Sequence, residues 1–232
     1  MDNAEIMQSL KGGLIVSVQA EANEPLGKPD ILAAIAQACV AGGAVGIRAC
    51  QPQNIAAIRR AVTVPVTGLI KKQYPDSPVY ITPTLSDCLK VIESGGQIIA
   101  LDATMRPRPN GEQLSEIVRL LRRNAKVLLM ADIATLEEGI QAAKMGMDII
   151  STTLAGYTEN TQARFKKYTP DFDLVEKLVK ELDDKVPVIA EGRIWRPDDM
   201  QRMFDLGAWA VVIGSAITRP TAIVRWFRQA LE

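Results

Sequence analysis

The feature that most constrains this chain is a junction repeated four times, in which a helix-like stretch ends in glycine and an apolar run follows almost at once. The junctions are Gly42-Gly43-Ala44-Val45-Gly46-Ile47, Gly95-Gly96-Gln97-Ile98-Ile99-Ala100-Leu101, Gly146-Met147-Asp148-Ile149-Ile150 and Gly207-Ala208-Trp209-Ala210-Val211-Val212-Ile213. Glycine suits the position just past a helix end, and near-continuous apolar runs suit parallel strands covered on both faces. The junctions recur roughly every 50 to 60 residues, too far apart for one strand–helix unit of about 30 residues and right for two.

Four more apolar runs supply the missing strands: Leu14 to Val18, Val64 to Ile70, Val127 to Ala131 and Val186 to Ala190. Between the eight lie segments that read as helices: Asp30 to Ala41, Pro52 to Ala61, Ser86 to Ser94, Gly111 to Arg123, Thr135 to Met145, Asp171 to Leu182, Pro197 to Leu206 and Thr218 to Leu231. Thr135-Leu136-Glu137-Glu138 has the spacing of a capping box. Eight alternating strand and helix signals in 232 residues predict an α/β fold of the (β/α)8 TIM-barrel kind, a single domain over 1–232. An open doubly wound sheet would usually carry fewer strands at this length. Val64-Pro65-Val66 and Val186-Pro187-Val188 start the third and seventh strands alike. That likeness is what a half-barrel repeat would leave, though Val-Pro-Val is also a common way to begin a strand.

Histidine is absent altogether. This excludes a Ser-His-Asp or Cys-His triad and argues against a transition-metal site, so acid–base work falls to Lys, Glu, Asp or Tyr. The three cysteines, Cys39, Cys50 and Cys88, show no C-x-x-C spacing and predict neither zinc site nor disulfide framework. Basic and acidic residues balance at 27 each, which gives no reason to expect a nucleic acid or an anionic membrane as partner. Met1 to Lys11 lacks the basic and apolar regions of a signal peptide, and apolar runs such as Ala208 to Ile213 are far too short to span a bilayer. The expectation is a cytoplasmic protein.

In a closed parallel barrel, chemistry gathers at the strand C-termini. Those ends are Gln19, Arg48, Lys71, Asp102, Asp132, Thr152 with Thr153, Glu191, and Gly214 with Ser215. So many polar groups on otherwise apolar strands are costly to bury unless paired or used. Lys71 and Lys72 cannot both face the centre, because successive side chains in a strand point to opposite sides. Spacing alone does not choose between them, nor between a catalytic lysine and two solvated residues opening a loop. A basic group there would need desolvation or neighbouring positive charge, and Arg48 on the adjacent strand could supply the charge. Glu191 reads equally as an acid–base group or as the counter-ion of a barrel lysine.

The turns Glu191-Gly192-Arg193 and Ile213-Gly214-Ser215 close the seventh and eighth strands with small residues, the usual phosphate position of barrel enzymes, although ordinary tight turns use glycine too. Gly42 to Gly46 precedes its strand, whereas a dinucleotide fingerprint must follow one, so an NAD site is not predicted. The loops Gln73 to Pro83 and Gly156 to Pro170 are candidates for covering substrate. The basic loop Met105 to Gly111 reads as a solvated turn unless a ligand reaches it.

The ordered motifs at these strand ends resemble the N-acetylmannosamine-6-phosphate 2-epimerase family. The likeness rests on Leu14 to Ala20, Gly46 to Ala49, Gly68 to Lys72, Tyr80 to Thr84, Ala100 to Thr104, Met130 to Ile133, Thr135 to Gly139, Ser151 to Leu154, Gly156 to Thr158, Glu191 to Ile194 and Ile217 to Pro220. It runs from near Leu10 to the C-terminus; Val18 stands where some members carry cysteine. The resemblance implies interconversion of N-acetylmannosamine 6-phosphate and N-acetylglucosamine 6-phosphate in sialic acid catabolism, on a (β/α)8 barrel without metal or organic cofactor. It implies Lys71 and Glu191 as catalytic groups and Gln19, Arg48, Asp132 and Arg219 as sugar-holding ones. By the same likeness Gly192, Arg193, Gly214 and Ser215 form the phosphate cradle.

Epimerisation at C2 needs a base, a stabiliser for an enolate oxygen and a proton donor, which these residue types can provide. The sequence leaves open whether one group or two serve the opposite faces. Two other readings also remain: an aldolase forming a Schiff base through Lys71, and a catalytically silent sugar-phosphate sensor. The last helix carries Ile223, Val224, Trp226, Phe227 and Leu231, and the family likeness makes a homodimer the expectation.

Overall fold

The structure, a computed structural model, describes residues 1–20, 24–164, 168–183 and 185–231. Eight parallel strands close in chain order into a barrel, the last pairing back onto the first. They are β1 (Leu14–Val18), β2 (Gly46–Cys50), β3 (Val66–Leu69), β4 (Ile98–Asp102), β5 (Leu128–Asp132), β6 (Ile149–Ser151), β7 (Val188–Glu191) and β8 (Ala210–Ile213). The (β/α)8 expectation holds. The surrounding helices are α2 (Pro29–Ala41), α3 (Pro52–Ala61), α4 (Leu85–Glu93), α5 (Leu114–Asn124), α6 (Leu136–Lys144), α7 (Phe172–Leu182), α8 (Pro197–Asp205), α9 (Ser215–Thr218) and α10 (Pro220–Arg228), with α1 (Asn3–Leu10) ahead of the barrel. Thr135 closes the expected capping box on α6 with Glu138.

Strand alternation sorts the core into two layers. Ile15, Ile98, Ala100, Leu128, Met130, Ile149, Ile189, Ala210 and Val212 fill the barrel interior. Val16, Ile47, Val66, Ile99, Leu129 and Ile150 point outward against the helices. The outward Gly68 is required by packing: a Cβ there would lie 2.6 Å from Val91 Cγ1 and 3.0 Å from Ile55 Cδ1, where α4 and α3 press on β3.

Three elements differ from the sequence expectations. Helix α1 was not expected; an Asp2–Glu5 capping box starts it, and its Ile6 and Leu10 join the interior cluster. Helix α5 begins at Leu114 instead of Gly111, because Asn110 and Gly111 take left-handed backbone (φ 57° and 69°) that a helix cannot propagate. The last helix is split, since Arg219 precedes Pro220 and adopts non-helical φ −119°, ψ 87°.

The two Val-Pro-Val stretches occupy equivalent places. Pro65 and Pro187 sit just before β3 and β7, where a missing N–H is tolerated, and their carbonyls accept from Ile47 and Ile150 of the preceding strands at 3.0 Å each. One seam is unusual. β3 and β4 pair directly only at Thr67–Ile98 and Gly68–Ile99. Above that, Thr82 is wedged between them: its hydroxyl donates to Ala100 O at 2.6 Å and accepts from Ile70 N at 3.1 Å. Thr82 is fully buried with φ 42°, so these bonds hold a left-handed residue in place.

Candidate active site

A cavity of about 990 Å³ opens at the strand C-termini. Its floor is built by inward positions of four strands. Arg48 from β2 is 1% exposed and grips the fully buried Asp132 of β5 with both terminal nitrogens, at 2.5 and 3.1 Å. The same guanidinium lies 3.4 Å from Glu191 of β7. Thr153, just past β6, places its hydroxyl 2.8 Å from Asp132 and 2.9 Å from Glu191. Neighbouring Thr152 points the other way and brackets the Glu191 backbone, accepting from its N–H at 3.0 Å and donating to its carbonyl at 2.9 Å. Asp132 lies beneath the cavity wall and touches the site through Arg48 and Thr153.

This floor holds one cation against two carboxyls. Burial opposes the Arg48 charge, but Asp132 and then Glu191 outweigh it and hold the guanidinium above its ordinary range. Burial raises the Glu191 carboxyl above its ordinary value; Arg48 opposes this and Asp132 adds to it. Asp132 is also raised by burial, against Arg48 and Thr153. With two bonds from Arg48, Asp132 is the better stabilised anion, so Glu191 is the carboxyl that more readily takes a proton.

Lys71 follows the inward positions Thr67 and Leu69 of β3 and lines the cavity, while Lys72 turns outward. The Lys72 ammonium donates to Tyr74 Oη at 2.8 Å and lies 4.3 Å from that ring's centroid, and Tyr74 in turn donates to Asp87 of α4. Lys71 is anchored by its backbone: its carbonyl accepts from Gln51 Nε2 at 2.9 Å, and it bridges to Ile81. The wedge around Thr82 also carries Tyr80 into the cavity wall, where burial chiefly, with Asp132 and Asp102, pushes its phenol up to about 12. Cys50, between Arg48 and Lys71, has its thiol raised by burial and so is uncharged near neutral pH.

The remaining expected residues form the opposite wall and rim. Gln19 lines the cavity and donates to Ser17 Oγ at 2.8 Å. Gly192 has φ +113°, which explains its glycine, and Gly214 lies so close to Ser17 that a Cβ would come within 3.1 Å of the serine's. Ser215 opens α9, where the N–H groups of Ile217 and Thr218 both donate to Gly214 O at 2.9 Å. Arg193 uses Nε on Thr169 O (2.8 Å) and Nη1 on Ala155 O, and stacks 5.3 Å over Tyr157. Arg219 pairs at 2.5 Å with Glu24 at the rim.

Of the site residues that the family likeness implies, all but Asp132 thus line one cavity. Asp102, a strand-end candidate, is absorbed by structure: it accepts from Thr104 and Arg106, while Arg108 donates to its carbonyl and to Pro83 O. The basic loop is thus solvated only in part: Met105 is exposed, while Arg108 is 6% exposed and its donors are taken by backbone carbonyls. Of the two long loops, Tyr80 and Ile81 from one and Gly156, Tyr157 and Tyr168 from the other reach the cavity. Residues 165–167 lie outside the described part of the chain. Among the described residues, no group of three His, Cys, Asp or Glu side chains could hold a metal ion.

Comparison with known proteins matches residues 32–232 to the family NanE, described as "Putative N-acetylmannosamine-6-phosphate epimerase". A similarly named protein of Caldanaerobacter subterraneus subsp. tengcongensis is 49% identical over 96% of this chain and 92% of its own length. The chain belongs to this family. Its relative from Clostridioides difficile is 46% identical over 98% of this chain and 99% of that one. The solved N-acetylmannosamine-6-phosphate 2-epimerase from Clostridium perfringens superposes with a TM-score of 0.92 at 43% identity, covering 97% of this chain and 96% of that one. A thiamine phosphate pyrophosphorylase from Pyrococcus furiosus reaches a TM-score of 0.61 at 14% identity, which reflects the barrel alone.

Tyr80 and Glu24 escaped the sequence reading as site residues, and Thr153 was named only together with Thr152, without a choice between them. For Thr153 a signal existed: counting alternation from the inward Ile149 puts Ser151 and Thr153 inside and Thr152 outside. Tyr80 and Glu24 come from loops whose paths no periodicity encodes.

Proposed function

We propose that this chain interconverts N-acetylmannosamine 6-phosphate and N-acetylglucosamine 6-phosphate in amino sugar (sialic acid) catabolism, working as one (β/α)8 unit whose catalytic face is the strand C-termini. The names borne by full-length relatives and by the superposable structure support the substrate. The observation that carries the chemistry is that Lys71, just past β3, and Glu191, at the end of β7, line one cavity from strands diametrically opposite in a ring of eight.

In the open-chain sugar, C2 lies beside the C1 aldehyde. Lys71, as the free amine, takes the C2 proton; the electron pair of the broken C–H bond moves into the C1–C2 double bond and negative charge collects on O1. Arg48 supports that charge from the floor, held in orientation by Asp132. Glu191, as the carboxylic acid, returns a proton to C2 from the far side and becomes the carboxylate, while exchange with water resets both groups. Gln19 offers its remaining amide atoms to the sugar hydroxyls. The turns at Gly192, Arg193, Gly214 and Ser215, with Arg219 above them, receive the phosphate; that all five residues line the same side of the cavity mouth, with glycine at two of them, supports this.

We further place the protein in the cytoplasm, in keeping with three free cysteines, and as a homodimer, in keeping with the exposed Val224 and Phe227 on α10. The test is proton NMR of purified enzyme with either hexosamine phosphate in heavy water. Both sugars should converge on one mixture with deuterium at C2, and borohydride should trap no covalent adduct on Lys71. Absence of interconversion, or trapping at Lys71, overturns the assignment.

A further inference from the structure

The contacts of the Thr153 hydroxyl do not balance if every acidic group beside it is ionised. Its oxygen lies 2.8 Å from Asp132 Oδ1, 2.9 Å from Glu191 Oε2 and 2.9 Å from Ser151 Oγ. A hydroxyl has one proton to give and two lone pairs with which to accept. Asp132 receives two bonds from Arg48, the geometry of a carboxylate ion, and can only accept. Were Glu191 ionised too, two anions would compete for one proton, and one short contact would set lone pair against lone pair.

With Glu191 as the carboxylic acid, every contact has a proton. Glu191 donates to Thr153, Ser151 donates to Thr153, and Thr153 donates to Asp132. Arg48 and Asp132 then cancel, and the buried floor carries no surplus charge.

We propose that Thr153 is a positioning residue that keeps Glu191 a proton donor, by accepting from its carboxylic acid while passing its own proton to Asp132. This deepens the epimerase reading and rests on it for its catalytic meaning. The groups facing Glu191 are Arg48 from β2, Lys71 from β3, Asp132 from β5 and Thr153 past β6; its register partner on β8 is the apolar Val212. Arg48, Lys71 and a proton donated by Thr153 favour the ionised form, and burial and Asp132 oppose it; once the Thr153 proton goes to Asp132, that bond is no longer open to the carboxylate. Thr153 tips this balance, because its lone pair is usable only by a protonated partner. Thr152 fixes the backbone of the same residue, so the two threonines at the β6 tip set where Glu191 sits and what it carries.

The experiment is infrared spectroscopy of the carbonyl band of protonated carboxylic acids, followed through a pH titration in wild type, Glu191→Gln, Thr153→Val and Thr153→Ser. Glu191→Gln keeps a donor toward Thr153 and so preserves the network without a transferable proton. The wild type should show the band near neutral pH, and Glu191→Gln should lose it. Thr153→Val, lacking one hydrogen bond to the acid form, should titrate about one pH unit lower, and Thr153→Ser should restore the midpoint. The alkaline limb of kcat/KM should move with it. A wild type without the band, a band that survives in Glu191→Gln, or an unmoved midpoint in Thr153→Val overturns the proposal. Should Thr153→Val fail to fold, the wild-type band and its loss in Glu191→Gln still decide. The band is read without turnover, so an inactive enzyme that shows it would refute the epimerase reading and leave the proton arrangement standing.

Discussion

Removing the guanidinium from the barrel floor by Arg48→Met tests whether the ion pair there is as buried as its geometry indicates. In the wild type, Arg48 is 1% and Asp132 0% exposed, so their 2.5 Å contact is little screened by water. Breaking such a pair from one side leaves an uncompensated buried charge and costs about 3–5 kcal/mol. At about 2.1 cal/mol/K per residue, a chain of 232 residues unfolds with an entropy near 0.5 kcal/mol/K, so the melting temperature should fall by about 6–10 °C at pH 8. The pH dependence has a definite sign. Without Arg48, burial acts on Asp132 against the Thr153 hydrogen bond only, and its folded-state pKa rises further; the folded state then binds more protons than the unfolded one, and stability falls as pH rises. The deficit should therefore shrink on acidification, and Arg48→Met/Asp132→Asn should recover much of it at pH 8. Differential scanning calorimetry at pH 8 and pH 5 reads all three quantities. A melting temperature within about 2 °C of wild type at pH 8, or a deficit that does not change with pH, would refute the reasoning.

Other consequences follow from single contacts. Gly68→Ala would drive a Cβ to 2.6 Å from Val91 Cγ1 and should cost about 1–3 kcal/mol, read as a melting temperature lower by about 2–6 °C; an unchanged value would mean that α4 gives way freely. Because burial raises the folded-state pKa of Glu191, its contribution to stability is complete below the ordinary carboxyl value of 4.5 and is lost as pH rises through the raised one. The stability of wild type relative to Glu191→Gln should accordingly decline between acidic and neutral pH in paired denaturant titrations, and a flat difference would contradict it.

Alternation and helix punctuation made the barrel legible. The four glycine junctions fall at left-handed turns, with φ of 100°, 90°, 87° and 93° at Gly43, Gly95, Gly146 and Gly207, and each leads into the strand expected after it. The same period-two rule separates Lys71 from Lys72 once register is known, because Leu69 is an interior residue. What could not be read depends on contacts between distant segments. The Thr82 wedge replaces strand pairing with bonds to Ile70 and Ala100. Arg106 and Arg108 look like a solvated basic loop in sequence and are spent on Asp102 and Pro83. Thr153 differs from Thr152 only in the face it occupies, yet one touches two carboxyls and the other a backbone. Helix α1 plugs the barrel with only Ile6 and Leu10 buried, too weak an apolar stripe to stand out.

The most direct test of the proposed chemistry compares C2 deuterium exchange in Lys71→Ala and Lys72→Ala, each with N-acetylmannosamine 6-phosphate in heavy water. Lys71 lines the cavity and Lys72 is held outside it by Tyr74, so the two variants remove equal charge from neighbouring positions. Exchange and epimerisation should fall at least about a thousandfold in Lys71→Ala and stay within about threefold of wild type in Lys72→Ala. Wild-type exchange in Lys71→Ala would contradict the assignment of the C2 proton to that lysine.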